Sequence, residues 1–175
     1  MDGWLHRVLT LPDGAIASIA RVVTVMGTFW VCAAIVAVVL KRQPTRLLAA
    51  VCALVVTRVV VSAAKQWFDR DRPPEIDRLV HVTGQAMPSG HAANAACIAM
   101  AIGLASPRLR WPAVVLAFAV GISRVVLGVH WASDVVAGWG VGLVISWACA
   151  QSASRVSRRF QPPSSLAAHG SSDAV

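Results

Sequence analysis

The chain has 175 residues, enough for one domain, with 57% hydrophobic residues and a formal net charge of +8. A mean hydropathy of +0.65 is too high for an ordinary soluble domain of this size and points to an integral membrane protein. The sixteen Lys and Arg residues fall between apolar segments rather than in one run or interleaved with aromatics, as membrane flanks do, so nucleic acid is excluded as the expected partner.

In chain order, Trp4, Leu5, Val8 and Leu9 share one face of a short helix broken at Pro12-Asp-Gly14. The segment is too short and polar to cross a bilayer and reads as an interfacial amphipathic helix. The Met-Asp-Gly-Trp start lacks a basic n-region and cleavage site, so the first apolar segment is expected to be retained. Residues 22–40 form an uncharged apolar run of bilayer length, closed by Lys41-Arg42-Gln-Pro-Thr-Arg46. Residues 47–64 form a second span, interrupted only by Arg58 and carrying Lys65 at its exit. A polar stretch rich in charge, Pro and Gly fills 65–90. Residues 91–105 give a short alanine-rich third span with Ser89 as its candidate cap. Residues 111–127 give a fourth, with Pro112 in its first turn. Residues 131–150 give a fifth, with Gly138 and Gly142 at a spacing that lets helices approach closely. The tail, 151–175, is rich in Ser, Arg and Pro and is expected to be disordered and cytoplasmic. The predicted fold class is therefore all-α, a polytopic membrane helical bundle of five transmembrane helices plus the interfacial helix, with residues 1–150 as the functional domain.

Cys32, Cys52, Cys97 and Cys149 all lie in apolar stretches without Cys-x-x-Cys spacing and read as packing residues, not as a zinc site or disulfide framework. His81 and His169 read as ordinary histidines. So do Arg21, Arg70 and Arg78 as interfacial cations. Arg58 is open between two readings, a polar cavity beneath the site and snorkelling past a packing neighbour.

Five spans bring the end of the second, the start of the third, the end of the fourth and the start of the fifth to one membrane face. Gathered there are Lys65, Arg72, Ser89, Gly90, His91, Arg124, His130 and Asp134. Lys65, Arg72 and Arg124 supply lasting charge and forked donors for a phosphoryl group. Ser89 and Gly90 add a hydroxyl and backbone N–H groups at a helix N-terminus, where an anion is favoured. His130 and Asp134, four apart on one helical face, allow the carboxylate to hold one ring nitrogen protonated and leave the other to attack phosphorus. His91, on another helix, can protonate the leaving oxygen and later activate water. Asp134 could also simply cap its helix. Trp67 and Trp131 are candidates for a substrate entrance, and Trp30, Trp111, Trp131 and Trp147 for belt residues. Fixed cations carry the charge stabilisation, so no metal or other cofactor is expected. The opposite face holds Lys41, Arg42, Arg46, Arg108, Arg110, Arg155, Arg158 and Arg159 with no acid near them, which by the positive-inside bias turns the site away from the cytoplasm of a bacterial inner membrane.

Lys65 with six residues before Arg72-Pro73, then Pro88-Ser-Gly-His91, then Ser123-Arg124 with five residues before His130 and three before Asp134, resembles the three-part signature of the type 2 phosphatidic acid phosphatase superfamily. That superfamily also takes in vanadium haloperoxidases and bacterial undecaprenyl diphosphate phosphatases. The resemblance spans 65–134 in order and without a gap. It implies a metal-independent hydrolase acting through a phosphohistidine: Lys65, Arg72, Ser89, Gly90 and Arg124 on phosphate, His91 as general acid, His130 as nucleophile and Asp134 as its partner. Members of this type commonly have six spans, the first being replaced here by the segment around Trp4 to Leu11. The expected substrate is a lipid-carrier phosphate, a polyprenyl diphosphate or a decaprenylphosphoryl-5-phosphoribose type of ester, with phosphatidic acid or phosphatidylglycerol phosphate as the alternative. A lipid phosphotransferase and a non-catalytic membrane scaffold are the alternatives of another class. The sequence leaves the oligomeric state open.

Overall fold

A computed structural model describes residues 14–75 and 78–159, with side chains to Val156. The described residues are all helical or irregular: α1 (Ala15–Val25), α2 (Phe29–Leu40), α3 (Pro44–Phe68), α4 (Gly90–Ala105), a 3₁₀ turn (Pro107–Leu109), α5 (Arg110–Val126) and α6 (Ala132–Arg159). The expected interfacial helix at Trp4–Leu11 lies outside them. Among the described residues three helices are long and apolar enough to cross a membrane: Pro44–Phe68, Pro107–Val126 and Ala132–Val156. α1 and α2 together would make a fourth, bent by 62°. α4, at 16 residues, falls short of that length.

The expected uninterrupted span at 22–40 is thus corrected to a broken one. Gly27 lies where an added Cβ would meet Val120 and the backbone of His91, so the break is pressed against the site helix. Its carbonyls are satisfied from elsewhere: Asn94 Nδ2 donates to Gly27 O at 3.1 Å and Cys32 Sγ to Met26 O at 3.2 Å. α3 begins earlier than expected, with Pro44 in the first turn where its missing N–H costs nothing. It also runs on to Phe68, so Lys65 stands inside its last turn. Asp69, in the left-handed region at φ 39°, ends it. α6 continues past Ala150 to Arg159, so the first nine residues of the expected disordered tail are helical. Gln, Ala and Arg are good helix formers, and the first proline beyond is Pro162.

α4 is the centre of the bundle, packed against α2, α3, α5 and α6. Ten of its sixteen residues are buried, which is why it reads as alanine throughout rather than as an amphipathic stripe. Gly138 and Gly142 of α6 face it. A Cβ on Gly138 would strike Ser89 O and on Gly142 would strike Ala93 O, so the two helices meet backbone to backbone. The outer surface is apolar, with Trp30, Trp111 and many Val and Leu side chains exposed, as a lipid-facing wall requires.

Candidate active site

The C-terminal end of α3, the N-terminal end of α4, the C-terminal end of α5 and the N-terminal end of α6 meet at one end of the bundle. Gly128, at φ 68°, turns the chain between α5 and α6, and Val129 and His130 just beyond it lie against Arg72. All eight expected side chains or backbone groups stand at this end.

Arg72 is the most heavily bonded of them. Its Nε donates to Gly84 O at 2.8 Å, Nη1 to Val129 O at 2.8 Å, and Nη2 to Gln85 O at 3.2 Å and Thr83 O at 3.3 Å. Its Nη1 also lies 3.4 Å from His130 Nε2. The guanidinium therefore clamps the 83–85 loop and faces one ring nitrogen of His130. Lys65 Nζ donates to Gln85 O at 2.5 Å. Arg124 is 4% exposed; its Nη1 donates to Thr24 Oγ1 at 2.6 Å, while its Nε has no hydrogen-bond partner. Lys65, Arg72, Arg124 and His130 all act electrostatically on His91. These cations, Arg124 buried and Lys65 and Arg72 half-buried, repel one another, and an anion among them is the natural compensation.

His130 and Asp134 are 2% and 0% exposed, and Nδ1 of the ring lies 3.5 Å from Asp134 Oδ2. The other nitrogen, Nε2, is the one turned to Arg72. Burial drives the His130 imidazole down to about 4; Asp134 pulls the other way, and Arg124, Arg72 and Lys65 add to the fall. The ring is therefore neutral at neutral pH, as a nucleophile must be. Burial, and next Arg78, lowers the Arg72 pKa from its ordinary value.

Asp134 stands where both readings offered by the sequence would place it: it caps α6 and lies beside the His130 ring, whose Nδ1 is without a hydrogen-bond partner at that distance. Its Oδ2 also accepts from Trp131 N–H at 2.9 Å, closing the first turn of α6 as a capping carboxylate does. Its Oδ1 accepts from Arg70 Nη1 at 3.0 Å.

Two expectations are corrected at Ser89. It occupies the cap position of α4, but its hydroxyl makes no capping bond; Oγ is buried without a partner. Its backbone N–H is spent on Asp134 O at 2.9 Å, which leaves the first-turn amides of α4 to face an anion. Gly90 has only Val61 Cγ1 at 3.7 Å from an added Cβ, so crowding by the protein does not demand glycine there. Ser123 Oγ is engaged with Val120 O at 2.7 Å. Trp67 is 87% exposed, whereas Trp131 is half-buried, its Nε1 donating to Asp71 O at 3.0 Å. Arg58 is exposed and lies 5.6 Å over the Phe29 ring, the packing-neighbour reading.

Sequence reasoning passed over Arg70 and Thr24. Arg70 stands two residues before Arg72 in the same non-helical stretch, and that nearness to a motif residue is the signal that groups it with the site. Nothing in the sequence pointed to Thr24. Among the described residues no group of three or more His, Cys, Asp or Glu is placed to hold a metal ion.

A family model described as the PAP2 superfamily matches residues 45–158. A phosphatidylglycerophosphatase B of Bacillus subtilis is 36% identical over 99 residues, covering 50% of this chain and 48% of that protein. An undecaprenyl-diphosphatase of Sulfolobus acidocaldarius is 41% identical over 70 residues, covering 39% and 34%. The chain spans about half or less of the length of these curated relatives. A crystal structure of a transmembrane PAP2-type phosphatidylglycerolphosphate phosphatase from Bacillus subtilis superposes with a TM-score of 0.77 at 28% identity, over 91% of this chain and 87% of that one.

Proposed function

The chain belongs to the PAP2 superfamily, and from that premise we propose that it is a metal-independent membrane lipid phosphatase working through a phosphohistidine on His130. The observation that carries the reading is the convergence of Lys65, Arg72 and Arg124 on the buried His130, whose Nε2 is turned to Arg72 while Nδ1 is turned to Asp134. A phosphoryl group held by these cations, Ser89 Oγ and the first-turn amides of α4 around Gly90 lies before Nε2. Asp134 keeps the proton on Nδ1, Nε2 attacks phosphorus, and His91, which takes up a proton once the bound phosphate anion offsets Lys65, Arg72 and Arg124, gives that proton to the leaving oxygen. The P–O bond to the lipid breaks as the N–P bond forms. His91 then takes a proton from water, which cleaves the N–P bond and releases phosphate.

The substrate is a lipid, because a site built at helix ends meets a headgroup at its natural depth. A polyprenyl diphosphate or a decaprenylphosphoryl-5-phosphoribose type of carrier is the first reading, in cell-envelope lipid metabolism. The second is phosphatidylglycerol phosphate, favoured by the whole-length likeness to the Bacillus subtilis enzyme of that name. Trp67, exposed on the last turn of α3, is suited to meet the lipid at the entrance, while Trp131 braces the loop behind it. The acid-free cationic end of the bundle, with Lys41, Arg42, Arg46, Arg108 and Arg110, supports a bacterial inner-membrane protein whose site faces the extracytoplasmic side. Phosphate release by the purified protein in EDTA from each of these lipids, and from phosphatidic acid, tests the reading. Release lost in His130→Ala supports it, and release that requires added metal overturns it.

A further inference from the structure

Arg70 is not among the residues expected to grip phosphate, yet it is tied into the site more closely than an interfacial cation needs to be. Its side chain is 31% exposed, beside an Asp134 side chain that is fully buried. Its Nη1 donates to Asp134 Oδ1 at 3.0 Å and to Ser133 Oγ at 2.6 Å, and approaches Met87 Sδ at 3.9 Å. The guanidinium carbon stands 5.7 Å over the Trp131 ring. Its backbone carbonyl accepts from Ala86 N at 2.8 Å, which pins the loop strand carrying it. Four neighbours on two elements, the 86–89 approach to α4 and the first turn of α6, thus hold one guanidinium in one place.

The consequence falls on Asp134. Its Oδ2 accepts from Trp131 N–H at 2.9 Å and stands 3.5 Å from His130 Nδ1, an approach too long for a formed hydrogen bond but one that this shared oxygen can close. Without a cation on Oδ1, the carboxylate would be a buried charge paired only through that shared oxygen, free to rotate toward other donors and costly to keep. Arg70 fixes the rotamer and offsets the charge, which leaves Oδ2 aimed at His130. This resembles the way outer partners orient a ligand or base in other sites.

We infer that Arg70 is a positioning residue for the His130–Asp134 pair: it acts through Asp134 on the tautomer and orientation of the nucleophile and does not bind the phosphate. The inference rests on the phosphatase reading for its effect on turnover, but its structural half does not.

The test uses the full-length protein with ¹⁵N-labelled histidine, comparing wild type, Arg70→Gln, Arg70→Lys, Asp134→Asn and the Arg70→Gln/Asp134→Asn double variant. Turnover is followed with ³²P-labelled lipid, to reach low rates. The His130 tautomer is read from its ring nitrogens. Loss of a partner of this kind typically costs about 10–100-fold, so kcat should fall by that much in Arg70→Gln, with KM within about threefold. Arg70→Lys should recover part of the rate. In the Asp134→Asn background the Arg70 substitution should cost little more, because the interaction is already gone. The His130 ring should change from protonation on Nδ1 to a mixture of tautomers. A raised KM with unchanged kcat, an equal loss in both backgrounds, or an unmoved tautomer would overturn the inference. A tautomer change in a protein that releases phosphate from none of the lipids would sustain the positioning role and count against the phosphatase reading alone.

Discussion

Three glycines of α6, spaced two apart, separate packing from propensity in one helix. An added Cβ at Gly138 would run into Ser89 O and meet Ala92 Cβ at 3.2 Å and Ala93 N at 3.3 Å. At Gly142 it would run into Ala93 O, with Cys97 N at 2.9 Å. At Gly140 it would meet nothing within 4 Å. The atoms struck at Gly138 and Gly142 are mostly backbone of the central helix, which cannot swing aside as a side chain can. Gly140→Ala should therefore be neutral or stabilising by up to about 1 kcal/mol through helix propensity. Gly138→Ala and Gly142→Ala should each fall below it by about 1–3 kcal/mol of overpacking. At roughly 2–4 °C per kcal/mol for a chain of this size, the separation is measurable by thermal unfolding in detergent. Activity should discriminate further. Gly138 lies one turn from Asp134, whose carbonyl holds Ser89 N–H, so a shift of about 1 Å there displaces the nucleophile's partner and the phosphate hydroxyl together and can cost about 10²-fold in kcat. Gly142 is a further turn away and should lose stability with less loss of rate. Equal melting temperatures for the Gly138→Ala and Gly140→Ala proteins would refute the backbone-to-backbone account of the α4–α6 contact.

Thr24→Val should weaken substrate binding about tenfold or more, since it removes the hydrogen bond to a buried guanidinium whose Nε is already without a partner; KM should rise more than kcat falls, as steady-state kinetics would show. The His130 ring should remain neutral as pH falls through the ordinary imidazole value of 6.5 and protonate only near 4, which a ¹⁵N titration of the folded protein reads directly. The same depression has a stability sign: the unfolded imidazole gains its proton below about 6.5 while the folded one does not, so stability should decline between 6.5 and about 4, seen as a falling melting temperature. Arg72→Lys keeps the charge but cannot reproduce the fork to Gly84, Val129 and Gln85, and should loosen the 83–85 loop as well as cut kcat/KM, which proteolysis of the loop and phosphate release would report separately.

The polytopic helical character and the meeting of eight residues at one end were legible in the sequence, because apolar runs and motif spacing along helices translate directly into position. What was not legible depends on contacts between elements. The break after Val25 lies in an uncharged apolar run and contains a single glycine; what accompanies it is the close approach of Gly27 to His91 and Val120, residues far along the chain. The use of the Ser89 amide by Asp134 follows from how closely α6 approaches α4, which only Gly138 and Gly142 hinted at. Arg70 was grouped with the interfacial cations because its partners, Ser133 and Asp134, are more than sixty residues away. The helix through Arg159 was missed because polar composition was read as disorder, although no helix-breaking proline occurs before Pro162.

The central claim is that phosphorus is transferred to His130. Rapid quenching of the purified protein with ³²P-labelled lipid phosphate, in EDTA, followed by peptide mapping, tests it most directly. The account predicts an acid-labile, alkali-stable label on His130, formed within the first turnover and absent from His130→Ala. Turnover without any label, or a label on another residue, would contradict it.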